Sequence, residues 1–150
     1  IAVMRGGIIQ QLADPKTIYN KPANLFVAGF IGSPAMSKLE AVGAEGGVQF
    51  GDLHVPLAGY DGGQVVPGQK VILGVRPEHI TVEPEGVGLP AVVDLDEPMG
   101  SDSLLWLTIA GQQISVRIPA DAQYAAGQKV GLTFDIAKSS VFDVESEARI

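Results

Sequence analysis

The chain has no cysteine, which removes disulfides, thiolate metal sites and thiol nucleophiles from consideration. Histidine is almost as scarce. His54 and His79 lie far apart in sequence, and neither has the spaced second ligand that a metal site needs. His54, within L-H-V-P, reads instead as a strand side chain facing water. Cations are few: 10 Lys and Arg stand against 17 Asp and Glu, for a net charge of −7. Phosphate backbones are bound by clustered Lys and Arg, so no nucleic-acid partner is expected, an OB-type binder included. No apolar run is long enough to span a bilayer and no signal-peptide pattern is present, so the expectation is a soluble, intracellular protein. The phosphate-cradling pattern G-x-x-x-x-G-K-S/T is missing, as is G-x-G-x-x-G after a strand. Asp102 and Ser103 have no histidine near in sequence to complete a hydrolase triad.

What remains is rich in branched apolar residues, with 19 glycines and 10 prolines among 150 residues. That length suits one domain, or a domain plus a fragment, with a core that needs no staples. The first residue, Ile1, already lies in a strand-like run, which predicts a piece of a longer protein; a processed terminus would look the same. Gly6-Gly7 separates two apolar runs in Ile1–Leu12 and predicts a hairpin, since both glycines tolerate φ > 0. A two-stranded ribbon needs outside support. Asp14-Pro15 opens a short helix, as N-cap and first helical residue, and Pro22 ends it. Asn24 caps a second helix, L-F-V-A-G-F-I-G. It is apolar almost all round, which predicts cover on more than one side.

After Pro34 the texture changes to short branched runs punctuated by Gly, Pro and Asp. Ten strands are expected: 39–42, 48–50, 53–57, 71–75, 80–82, 91–95, 104–109, 114–118, 130–134 and 141–144. Many short strands at close spacing indicate a mainly β protein, a barrel or sandwich. Val65–Val75 and Tyr124–Phe134 share G-Q-K-V, each with a tight turn before a strand, as two related barrel-like units would show. Ile114, Val116 and Ile118 alternate with Ser115 and Arg117, predicting one wet face. Alternation also puts Asp94 and Asp96 on one strand face. They could hold a cation there, or simply form a solvated strand end with Glu97. Trp106, among apolar neighbours, reads as a core or interface anchor.

The centre of the pattern is Lys70–Val82, K-V-I-L-G-V-R-P-E-H-I-T-V. Val71, Ile72, Leu73 and Val75 form a buried strand, and Pro77 must break its ladder. Arg76, Glu78 and His79 therefore sit at a strand end, where charges are expected to face solvent or a partner.

Four blocks resemble the C-terminal part of the ATP-binding subunit of ABC sugar importers, the maltose-importer ATPase type. They are Ile1–Gln11, the sequence D-P-K-T-I-Y-N-K-P-A-N-L-F-V-A-G-F-I-G-S-P, the sequence L-G-V-R-P-E-H-I, and F-D-I-A-K-S-S-V-F-D. Glu97–Asp102, E-P-M-G-S-D, is similar to a further family pattern. Lys16-Thr17 departs from the family's Glu-rich helix start, and Ser139-Ser140 lacks a histidine common before V-F-D. The resemblance implies an OB-fold-like, TOBE-type β-barrel arrangement over residues 37–150. Residues 1–36 would then be the tail of a nucleotide-binding domain, a hairpin plus two short helices. It further implies a non-catalytic dimerisation and control module with no cofactor of its own, ATP and Mg belonging to the parent subunit. The implied partners are a second copy, the chain's own nucleotide-binding domain, membrane permease subunits on the inner face of the cell membrane, and a regulatory protein. Interface or regulatory candidates are Arg76, Pro77, Glu78, His79, Glu97, Gly100, Asp102, Phe142 and Asp143. For Arg76, Glu78 and His79 two readings stay open: contacts to a partner or hinge, and a salt-bridged strand end within one subunit. An alternative function is an oxyanion-sensing barrel, although no cluster of anion-binding turns with basic neighbours is visible in the sequence.

Overall fold

A computed structural model describes residues 1–150. Strands β1 (Ala2–Arg5) and β2 (Ile8–Leu12) form the hairpin. Its turn carries Gly6 and Gly7 at φ of 58° and 79°, which only glycine adopts without strain. Support comes from two short helices, α1 (Pro15–Asn20) and α2 (Leu25–Phe30). Asp14 accepts the Thr17 amide at 2.8 Å and Asn24 accepts the Val27 amide at 2.9 Å, so both expected caps form. Val3, Ile18 and Val27 make a small core beneath the hairpin, and Arg5 lies 5.1 Å above the Phe26 ring. The expected cover of α2 on more than one side is found: Val27 packs against Val3 and Ile18, and Ala28 against Met36 and Phe142. Phe30, stacked on Phe26, is the exception at 62% exposed.

All ten expected strands are present in the rest of the chain. They are β3 (Ser37–Ala44), β4 (Gly47–Phe50), β5 (Leu53–Pro56), β6 (Lys70–Val75), β7 (Ile80–Glu83), β8 (Leu89–Pro98), β9 (Asp102–Ile109), β10 (Gln112–Pro119), β11 (Lys129–Phe134) and β12 (Ser140–Asp143). They form two antiparallel five-stranded sheets, ordered β12-β6-β3-β4-β5 and β7-β11-β8-β9-β10. One apolar core of 20 buried residues runs between them, drawing on both sheets.

The two sheets are built alike, as the shared G-Q-K-V predicted. Gly68 donates to Gly43 O and Gln69 O accepts from Gly43; Gly127 donates to Val93 O and Gln128 O accepts from Val93. Gln69 and Gln128 each close their own turn from the side chain, accepting the Val66 and Ala125 amides, both at 3.1 Å. Each half then hands its last strand to the other sheet. A 3-10 turn at Pro77–His79 carries the chain from β6 to β7, which pairs with β11. A matching turn at Ile136–Lys138 leads from β11 to β12, which pairs with β6. This exchange ties the sheets together through backbone bonds as well as through the core.

Two side-chain placements differ from alternation. Ser115 is buried, because its amide and carbonyl bond Ser37 Oγ at 3.0 and 2.7 Å where β10 meets β3. A bulge between Val93 and Leu95 moves Asp94 and Asp96 to opposite faces. Asp94 accepts from Thr108 Oγ1 at 2.7 Å on the outer face, while Asp96 pairs across from the buried Leu105.

Candidate functional site at the junction of helices and barrel

Arg76 is not on the surface: it is 2% exposed, the largest of the fully buried side chains. A strand-end charge should seek water, so the burial needs compensation. Three backbone carbonyls supply it. Nη1 donates to Ile31 O at 2.8 Å and to Ala28 O at 3.3 Å, and Nη2 donates to Tyr19 O at 3.2 Å. The guanidinium also lies over the Tyr19 ring, 4.3 Å from its centre, a stacking that suits a planar cation. Only Nε is left buried and unpartnered. The carbonyls belong to α1 and to the end of α2, so Arg76 fastens the N-terminal block to the barrel. None of the chain's three ion pairs includes it.

The surroundings are shaped around this side chain. A Cβ on Gly32, at φ 107°, would stand 2.8 Å from Arg76 Nη1. Pro77 is buried behind it, and the Tyr19 hydroxyl donates to the Glu78 carboxylate. Burial and that hydrogen bond push the Tyr19 hydroxyl up to about 12. Burial would raise Glu78, but the bonds from Tyr19 and from its own amide outweigh it and hold the carboxyl below its ordinary value. Burial pushes the guanidinium down, opposed by Tyr19 and Glu78.

Two further contacts complete the junction. Phe142, fully buried on β12, packs with Ala28 of α2 and with Met36. Gly74 makes room for them, since a Cβ there would lie 2.3 Å from Met36 Sδ and 3.2 Å from the Phe142 ring. Arg117 of β10 donates to Ser33 O at 3.1 Å and pairs with Asp102 at 3.1 Å. The C-terminal tail then crosses back over the helices: Leu25 donates to Glu147 O, and Arg149 donates to Ala23 O.

The structure thus gathers Arg76, Pro77, Glu78, Phe142 and, through Arg117, Asp102. It does not bring in the other candidates. Glu97 accepts from Trp106 Nε1 at 3.2 Å on the outer face of β8 and β9, so Trp106 is not a core residue. Gly100 is an exposed loop residue at φ 100°. Asp143 accepts from Gln69 Nε2 at 3.0 Å and from the Ser146 amide at 2.8 Å, which hold its carboxyl below the usual range. His79 makes no side-chain hydrogen bond to the clasp and lines a cleft with Lys138. Tyr19, Gly32 and Arg117 were not singled out by the sequence; nothing near them marks a contact across so many residues.

The hairpin carries an uncovered apolar face. Met4, Ile8, Ile9 and Leu12 of the hairpin and Phe30 of α2 are all more than half exposed. Met4 and Ile9 pair across the ribbon with Leu12 on their face, while Ile8, opposite Arg5, lies on the other; exposed apolar residues gathered on one face mark an interaction site. No helix is long and apolar enough to cross a membrane.

Known proteins are similar to this chain. The TOBE domain family matches residues 73–142, and the MalK OB fold domain family matches residues 32–80. The sn-glycerol-3-phosphate import ATP-binding protein UgpC of Salmonella typhi is 37% identical over the whole chain. The trehalose import ATP-binding protein SugC of Mycobacterium tuberculosis is 36% identical, again over the whole chain. The chain spans 43% and 47% of these two relatives, about half their length. The molybdate-binding protein ModG shares the fold at a TM-score of 0.52 and 17% identity, over 74% of this chain and 96% of that one. The chain carries the TOBE and MalK-type OB-fold domains and is similar, over its whole length, to part of ABC-importer ATP-binding proteins.

Proposed function

We propose that residues 37–150 are a regulatory and dimerisation domain and that residues 1–36 are the closing segment of an ATP-binding domain. The observation that carries this reading is the junction: a tightly clasped helical block whose hairpin keeps an exposed apolar face, Met4, Ile9 and Leu12. That face suits the rest of an ATP-binding domain, and the clasp would pass its movements into the barrel. Two copies joined through their barrels would keep two ATPase domains at high effective concentration. A regulatory protein that prefers one arrangement would bias the cycle. In this reading the chain neither hydrolyses ATP nor binds it tightly. ATP and Mg belong to the parent subunit, which drives uptake of a carbohydrate or glycerol-3-phosphate type solute with permease subunits at the cytoplasmic face of the membrane. Sedimentation equilibrium tests the dimer: association is expected, and a strict monomer at high concentration contradicts it. ATP turnover by the isolated chain would contradict the non-catalytic assignment.

A further inference from the structure

We infer that the cleft between α1 and the Ile136–Lys138 turn is a binding site for a small, multiply charged anion of the phosphate class. This goes beyond the proposed dimerisation role and does not depend on it. The cleft encloses about 410 Å³ and is lined by Lys16, Lys21, Lys138, Arg149, His79 and Asp61, among others. That volume lies in the range of small-ligand sites. Four of the chain's ten cations meet there with one of its 17 acids, in a molecule of net charge −7.

The charges come from three distant parts of the sequence, which is why the sequence shows no basic cluster. Their local neutralisation is incomplete. Lys21 pairs with Asp61 at 2.6 Å, and Lys138 stands 4.0 Å from Asp135. Lys16 and Arg149 have no carboxylate partner. Arg149 is held by Ser140 Oγ, Ser139 O and the Tyr60 ring, which fixes its position without cancelling its charge.

His79 adds a second, independent sign. Its Nδ1 is buried without a hydrogen-bond partner. Either neutral tautomer leaves this nitrogen unsatisfied, as a donor or as an acceptor. Burial first, then Lys138 and Arg76, push the imidazole below its ordinary value, against Glu78 and Asp135. An anion in the cleft would reverse that direction. Because Lys16 lies on α1 and Lys21 at its C-cap, while Lys138 lies on the barrel and Arg149 on the C-terminal tail, a bound anion would bridge the block and the barrel. It would favour the docked junction over any looser arrangement.

The test uses the 150-residue chain and NMR at constant ionic strength held with chloride. Inorganic phosphate and pyrophosphate are titrated separately, and the pKa of His79 is followed against the remote ring of His54. The expected result is saturable binding of at least one probe, a raised His79 pKa and a stationary His54. Lys16→Gln and Lys138→Gln, both at exposed side chains, should each weaken binding about threefold, the scale of one exposed charge pair. Three results would each overturn the site. They are a non-saturating response to both probes, equal movement of both histidines, and unchanged affinity in both variants.

Discussion

Two short turns in this molecule do the same topological work with different side chains. Pro77–His79 carries β6 into β7, and Ile136–Lys138 carries β11 into β12, each passing a strand to the opposite sheet. Counted from the two G-Q-K-V turns, Arg76 corresponds to Asp135 and Gly74 to Thr133. Asp135 is exposed and sits 4.0 Å from Lys138, whereas Arg76 is buried on three carbonyls. The crossover therefore does not require a buried arginine. Only at the first turn is a charged side chain buried against the N-terminal block, and Arg76, Gly74 and Phe142 are the residues fitted to that meeting. The difference separates what the barrel needs from what the junction needs.

Breaking the inequivalence gives the largest effect. Arg76→Met strips charged donors from three carbonyls, and each buried carbonyl left unpaired costs about 1–3 kcal/mol. A loss of at least about 3 kcal/mol in denaturant unfolding is expected, or about 6–12 °C in Tm for a domain of this size. Asp135→Met at the equivalent place should stay within about 0.5 kcal/mol. Equal losses at both sites would erase the distinction.

The glycines sharpen it. A Cβ on Gly131 would meet the Val87 carbonyl at 1.6 Å, where backbone must move. Gly131→Ala should cost about 2–3 kcal/mol, while Gly74→Ala, opposed mainly by the flexible end of Met36, should cost about 1 kcal/mol. Met36→Ala combined with Gly74→Ala should cost less than the two single losses added, because truncating Met36 removes the atom that the new Cβ meets. Simple additivity in a double-mutant cycle would place the crowding elsewhere.

The smallest effect is one of pH. The folded state holds His79 below its usual 6.5, chiefly by burial, so the unfolded chain binds its proton first as pH falls. Stability should decline as pH drops below 6.5 and level off once the folded ring is also protonated. His79→Gln should flatten that window. A profile unchanged by the substitution would remove His79 as its source.

Most of the fold was legible because it rests on local signals. Branched runs bounded by Gly and Pro located every barrel strand, and Asp14 and Asn24 announced their helices through caps that act within three residues. The shared G-Q-K-V marked the internal likeness because its turn is held by its own glutamine. Long-range partners left no such trace. Arg76 reads as a solvated strand end until α1 and α2 fold over it, and its acceptors are backbone carbonyls that no side-chain pattern reveals. The bulge at Asp94 and the buried Ser115 failed for a related reason: alternation assumes a regular ladder facing water, and both sit where another strand interferes. Lys16, Lys138 and Arg149 are unremarkable singly and meet only in three dimensions.

Backbone hydrogen exchange in Arg76→Met tests the junction most directly, since it reads the helices and the sheets separately. The expected result is lost protection at Leu25, Val27, Ala28 and Arg149, with β8, β9 and β11 protected as before. Uniform loss across both regions, or unaltered protection of the helices, would contradict the role assigned to Arg76.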